Sequence, residues 1–303
     1  MYSVFYKELL TIIDEDRVFL DEPMKKHTTF RVGGPADYFV VPQTVEEVKQ
    51  IVALCKKEEM PYYVLGNGSN LLVGDKGYRG VVIQIYKEMS AVAVQDEVIT
   101  VQAGVLLSRI GNIALEHELA GFEFAAGIPG TMGGAVVMNA GAYGGEMKDV
   151  LLDVTVLTPE GEILVLKNEE LELGYRTSII AKKDYIVLEA NVKLTKGDKA
   201  EIRGRMDELR VQRTTKQPLE YPSAGSTFKR PEGYFAGKLI QDAGLRGFLV
   251  GGAQVSEKHC GFVINKGGAT AADICQLIAD VKEKVYEEFQ VELEPEVKMI
   301  GEF

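Results

Sequence analysis

The chain has 303 residues, 46% apolar and 26% charged, the balance of a folded protein, which excludes a disordered, collagen-like or disulfide-stapled chain. A formal net charge of −11 argues against a general nucleic-acid binder, so an anionic ligand needs a locally basic pocket. Length points to about two domains, and the 32 glycines cluster, which assigns their excess to particular loops rather than to a repeat.

In chain order, residues 1–20 read as a short amphipathic helix and a lead-in. HTTFRVGGPADYFVVP follows as a glycine turn between two β-like runs. Thr44-Val-Glu-Glu47 has capping-box spacing, and Val45, Val48, Ile51, Val52 and Cys55 recur at helical period, predicting a helix over 45–58 that Pro61 stops. Strands are expected at 62–65, 81–85, 91–94 and 98–101, a helix at 105–119, then strands near 154–157, 163–166 and 186–194. Residues 1–195 thus form one α+β unit without the regular βαβ rhythm of a dinucleotide-binding fold. The charged, helical segment 196–212 is a connector. Beyond it lie strands at 248–254 and 262–264, and a helix after Thr270 with Ile274, Leu277, Ile278, Val281 and Val285 on one face. The tail VELEPEVKMIG ends in a strand.

Cys55, Cys260 and Cys275 make no CxxC pair, and His27, His117 and His259 are equally scattered. No metal site is expected, and a reducing, cytoplasmic setting fits. The N-terminal segment lacks a basic n-region and a cleavage site, so no signal peptide is expected. The uncharged run from Phe124 to Gly145 contains Pro129 and seven glycines, and reads as a buried loop system rather than a membrane span.

Five motifs carry chemistry. Leu65-Gly-Asn-Gly-Ser-Asn-Leu71 follows a strand, and its glycines let backbone N–H groups converge on an anion. It is neither a Rossmann fingerprint nor a Walker loop; a plain glycine turn is the competing reading. Ala126-Gly-Ile-Pro-Gly-Thr-Met-Gly-Gly-Ala135, with Asn139-Ala-Gly-Ala-Tyr-Gly-Gly145, is dense in small residues but interleaved with Ile128, Met132, Val136, Val137 and Met138. That favours an ordered ligand-contacting loop over a linker. Gly174-Tyr-Arg-Thr-Ser178 offers an arginine for an anion or an enolate, against the simpler reading of a surface arginine. Arg213 to Pro231 supplies Arg213, Lys216, Lys229 and Arg230 as local positive charge and places Ser226 on a tight turn. Glu296, in Glu294-Pro-Glu-Val-Lys298, stands at the start of the final strand, where a solvated carboxylate is the default.

Together these segments resemble the UDP-N-acetylenolpyruvoylglucosamine reductase (UDP-N-acetylmuramate dehydrogenase, MurB) family. The match runs in order through HTTFRVGGPAD (27–37), VLGNGSNLL (64–72), GIPGTMGGAVVMNAGAYGGE (127–146), GYRTS (174–178), PSAGSTFKRP (222–231) and LEPEVKMIG (293–301). The resemblance implies an α+β fold: a two-subdomain FAD-binding domain of the vanillyl-alcohol-oxidase (PCMH) type over 1–195, and a C-terminal α+β substrate-binding domain over 213–303 whose last strand returns to the flavin. It implies non-covalent FAD, NADPH as co-substrate, and reduction of UDP-N-acetylglucosamine enolpyruvate to UDP-N-acetylmuramate in peptidoglycan precursor synthesis, with no nucleic-acid partner and no membrane insertion. Some family members carry Asn in place of Arg230 and an inserted Tyr-bearing loop; this chain resembles the shorter form.

Carried over residue by residue, the family's catalytic positions fall on Arg176, Ser226 and Glu296. Arg176 holds the enolate formed when hydride adds at C3, Glu296 assists it, and Ser226 protonates C2, with Lys229 a candidate helper. Cofactor contacts are expected at Leu65, Gly66, Asn67, Gly68, Ser69, Asn70, Leu71, Gly127, Ile128, Gly130, Thr131, Gly133, Gly134, Ala135, Asn139, Ala142 and Arg213. Substrate contacts are expected at Tyr175, Lys216, Arg230, Lys238 and Gln254. The alternative is another flavoprotein oxidoreductase or oxidase of the same fold, acting on a sugar or hydroxy acid.

Overall fold

Thr44 opens the Val45–Lys57 helix, as the spacing predicts: its Oγ1 accepts from the Glu47 amide at 3.1 Å. The Glu47 carboxylate accepts from the Gln43 amide (2.7 Å) and from both terminal nitrogens of Arg17 (2.8 and 3.0 Å). Val48, Ile51, Val52, Leu54 and Cys55 turn inward and are buried.

The structure, a computed structural model, describes residues 4–303. Two compact units emerge, interleaved in sequence. The first comprises the chain up to Phe19, Tyr38–Asn67 and Gly80–Gln212; the second comprises Leu20–Asp37, Gly68–Arg79 and Arg213–Phe303. The sequence reading keeps 1–195 together. Residues 20–37 and 68–79 instead go with the C-terminal part, because Phe30, Val32 and Leu72 are buried in its core.

In the first unit, five antiparallel strands form a sheet in the order Ile163–Lys167, Leu151–Leu157, Ile186–Lys193, Val98–Gln102, Val92–Gln95. A polar rung crosses four of them. Lys167 Nζ lies 3.0 Å from Asp153, Asn191 Nδ2 donates to Asp153 (2.6 Å), and Thr100 Oγ1 donates to Asn191 Oδ1 (2.6 Å). Tyr62–Leu65 pairs parallel with Val81–Gln84, so the chain leaves this strand directly into the first glycine loop. The predicted 105–119 helix spans Leu107–Glu116, and the charged connector is one helix, Lys199–Lys216, burying Ile202 and Leu209.

In the second unit, the Ala271–Phe289 helix starts in a true capping box between Thr270 and Asp273. Its buried stripe Ile274, Leu277, Ile278, Val281 and Val285 contributes about 1.5–3 kcal/mol per side chain. The Lys298–Ile300 strand pairs parallel with Leu71–Val73.

Four sequence expectations change. The 248–254 strand is two short strands, Leu249–Val250 and Ala253–Val255, separated at Gly251, whose φ of +52° makes a turn. The run 27–34 is irregular, and the strand begins at Pro35. Met132–Val137 is helical inside the expected loop system because Met132, Ala135 and Val136 share a buried face. Ala236–Asp242, unassigned from sequence, is a short helix. Of the expected N-terminal helix, residues 1–3 lie outside the described residues, and Val4–Leu9 is helical.

Candidate active site

The first unit brings together Leu65, Gly66, Asn67 and the segment from Gly127 to Ala142. Asn67 Nδ2 donates to the Pro129 carbonyl at 2.7 Å. A Cβ on Gly66 would stand 2.4 Å from Thr131 Oγ1, so only glycine lets the two loops meet. The second loop is stitched to the neighbouring chain: the Leu107 amide donates to Gly130 (3.0 Å), Met132 to Val105 (2.8 Å) and Gly133 to Ala103 (2.9 Å). Thr131 is buried, whereas a Cβ on Gly134 would meet nothing nearer than Thr131 Oγ1 at 3.8 Å. The result is an ordered stretch of bare backbone with one hydroxyl and no charge, as the density of small residues suggests.

Arg176 sits in the same unit at the tip of a two-residue turn. Gly174 and Thr177 exchange backbone hydrogen bonds of 3.1 and 3.3 Å, and Arg176 has a φ of +55°. Holding a non-glycine residue in that left-handed region costs about 1–2 kcal/mol, strain of the kind that gathers at functional sites. The guanidinium lies over the exposed Tyr175 ring, 5.2 Å from its centre. Asn139, expected to face the ligand, is fully buried; its amide donates to Glu146 (2.8 Å) and to the Gly174 carbonyl (3.1 Å) and accepts from the Lys148 amide (2.9 Å). Lys148 and Asn139, with the charge of Arg176, hold the Glu146 carboxyl below its ordinary range. Sequence reasoning passed over Glu146, although it closes the GAYGGE motif.

In the second unit, Gly68 has a φ of +64°, and a Cβ there would stand 2.0 Å from the His27 carbonyl. Asn70 Nδ2 donates to the Glu296 carbonyl (3.2 Å), and Lys298 donates back to Asn70 (3.1 Å), so the GNGSN loop is pinned to the C-terminal strand. On the other side, the Glu296 amide donates to the Thr227 carbonyl (2.8 Å), Phe228 bridges Pro295, and the Lys229 amide donates to Glu294 (2.8 Å). This ladder sets exposed Ser226 and half-buried Glu296 on adjoining extended segments. Thr227 anchors the serine turn by accepting from the Val263 amide at 2.9 Å. Neither the 68–70 loop nor the serine turn is close to Glu296 in sequence.

The basic candidates also lie in this unit. Arg213 and Lys216 end the long helix, Lys216 exposed. Lys229, the candidate helper of Ser226, is ion-paired with Glu294, and Lys238 with Asp242. Arg230 stacks over Phe235, 4.0 Å from the ring centre, and donates through Nε to the Tyr234 carbonyl (3.3 Å). Gln254 is buried; its Nε2 donates to Gly247 (3.1 Å), and its Oε1 is a buried acceptor with no protein partner. Among the described residues, no group of three or more His, Cys, Asp or Glu side chains is placed to hold a metal ion.

Residues 217–300 match the C-terminal domain of UDP-N-acetylenolpyruvoylglucosamine reductase, and residues 36–167 match the FAD binding domain. The reductase of Agathobacter rectalis is 57% identical, with all of both chains covered, and that of Clostridioides difficile is 54% identical over 98% of each. The chain belongs to the UDP-N-acetylenolpyruvoylglucosamine reductase family. The crystal structure of the reductase from Thermus caldophilus superposes with a TM-score of 0.80 at 39% identity, covering 94% of this chain and 98% of that one. Phl p 4.0202, a glucose dehydrogenase, shares only the fold: TM-score 0.50 at 16% identity, covering 65% of this chain and 45% of the other. The fold is therefore that of an FAD-binding domain joined to the family's C-terminal domain. The bare backbone around Thr131 suits the close approach of a flavin nucleotide. No helix among the described residues is long and apolar enough to cross a membrane.

Proposed function

We propose that Arg176, Ser226 and Glu296 carry the reduction of UDP-N-acetylglucosamine enolpyruvate to UDP-N-acetylmuramate. The observation that carries this reading is the Thr227–Glu296 ladder, which gathers a hydroxyl and a carboxyl from distant parts of the sequence. Bound FAD would supply the hydride chemistry, from NADPH to C3 of the enolpyruvyl group. The glycine loops at 65–71 and 127–142 would hold that cofactor, Asn139 excepted, since its buried side chain is fully bonded within the protein.

As hydride arrives at C3, negative charge moves through C2 into the carboxylate. Arg176 holds the charge by ionic hydrogen bonds. Its turn sets the backbone from which the guanidinium projects, and the guanidinium rests over the Tyr175 ring before substrate arrives, which limits reorganisation during the reaction. Ser226 gives its proton to C2. Glu296 supplies a second acid group beside the developing charge. Lys216, Arg230, Lys238 and Gln254 bind the UDP portion, Tyr175 is a further substrate contact and Arg213 a cofactor contact; the buried Gln254 Oε1 supports its own assignment, because a ligand donor would satisfy it. Three free thiols support a reducing, cytoplasmic setting.

The test is an anaerobic visible spectrum. NADPH should bleach the flavin band, and the enolpyruvyl sugar should restore it. Bleaching without recovery would remove the substrate; a protein that takes up no FAD would remove the whole reading.

A further inference from the structure

Asn139 lies in a glycine-rich loop and was expected to face ligand, yet both N–H bonds of its amide are spent inside the protein, on Glu146 Oε2 (2.8 Å) and the Gly174 carbonyl (3.1 Å). Its Oδ1 accepts from the Lys148 amide at 2.9 Å, and its side chain is 1% exposed. Gly174 is the first residue of the turn that carries Arg176, and its carbonyl receives both the Thr177 amide (3.3 Å) and Asn139. The far side of the turn is tied to the same loop, since Ser178 Oγ donates to the Val137 carbonyl at 2.6 Å. The 137–146 loop therefore clamps the Arg176 turn at both ends. Arg176 needs such a clamp, because a φ of +55° relaxes readily unless its surroundings dictate it.

We propose that Asn139 is a positioning residue for Arg176: its amide locks the Gly174–Thr177 turn and sets the Glu146 carboxylate within the field of the guanidinium. This rests on the reading that Arg176 holds the enolate. The groups facing Asn139 are Glu146, Lys148 and, through the turn, Arg176; Asp149 accepts from the Glu146 amide.

Asn139→Asp keeps the shape and tolerates positive φ, but removes the two donors and sets a carboxylate against Glu146. In the FAD-loaded enzyme, flavin reduction by NADPH should be unchanged. Reoxidation by the enolpyruvyl sugar should slow by about 10²-fold, the effect expected of a 1 Å misplacement. Lowering the pH should restore part of the rate, as the new carboxyl regains a proton to donate. Trypsin should also cut after Arg176 faster than in the parent protein, a readout independent of activity. Glu146→Ala, at a more exposed position, removes the acceptor of one of those two donors and should act in the same direction, more weakly, if the aspartate variant fails to fold. Unchanged reoxidation and cleavage in either folded variant would overturn the proposal, as would equal loss of both half-reactions, which would return Asn139 to the flavin. Arg176→Ala measured alongside separates the two ideas. If it spares reoxidation, the role of Arg176 falls; if it slows reoxidation and the Asn139 and Glu146 variants do not, only the clamp falls.

Discussion

The Glu296 amide donates to the Thr227 carbonyl at 2.8 Å, placing the residue after Ser226 opposite a glutamate that lies two residues before the Lys298–Ile300 strand. The same glutamate's carbonyl accepts from Asn70. The segments near residues 226 and 296 thus meet through a backbone bond, so side-chain changes at those two positions should test chemistry rather than folding.

Ser226→Ala should leave reduction of the bound flavin by NADPH intact and slow its reoxidation by about 10²-fold or more. Stopped-flow absorbance separates the two phases. Equal loss in both would deny Ser226 the role of proton donor.

Gly68→Ala should cost about 1–3 kcal/mol, because the methyl group meets the His27 carbonyl and the residue keeps a left-handed φ. Urea unfolding measures the loss. The variant should also release FAD more readily, read as free flavin after gel filtration.

Asp153→Ala should destabilise by about 1–3 kcal/mol, since the Asn191 amide and the Lys167 ammonium both lose their acceptor in a sheet where Asp153 itself is buried. The double variant with Asn191→Ala should cost less than the two single losses added together. Additive losses in urea titrations would mean that the rung is not coupled.

Burial alone would raise the Glu47 carboxyl, but the Arg17 guanidinium and the Gln43 amide outweigh it and hold it below its ordinary value. A carboxyl whose folded value is depressed contributes stability that is fully present above the unfolded value, about 4.3, and lost as pH falls through the lower folded one. Glu47→Gln should therefore flatten the acid limb of a melting-temperature profile and lower stability at neutral pH. Parallel profiles for the two proteins would contradict this.

Where apolar spacing was regular, the fold was legible. The Val45–Lys57 helix is legible from its one-sided stripe and side-chain cap, the Ala271–Phe289 helix from its stripe alone, and the sheet strands from short β-prone runs. Met132–Val137 escaped because two glycines interrupt its pattern, and Ala236–Asp242 because it is under two turns long. The site motifs were legible as motifs, but their grouping was not. Nothing local tells Leu71–Val73 that its neighbour is Lys298–Ile300, and, unlike the crossing at Gln212 that the charged connector precedes, the earlier crossings between units carry no linker. Asn139 misled for a related reason: a small polar residue between glycines reads as ligand-facing until its three hydrogen bonds are seen.

The parallel pairing of Leu71–Val73 with Lys298–Ile300 bears on how the chain is made. During synthesis the earlier strand leaves the ribosome long before its neighbour exists, and its exposed edge must wait for more than two hundred further residues. The Thr227–Glu296 bond forms only once residue 296 has emerged, so a nascent chain stalled short of it carries the glycine loops and Arg176 without the acid group at 296. Activity should appear only after residue 296 has left the ribosome, and no single cut in the chain yields both units intact.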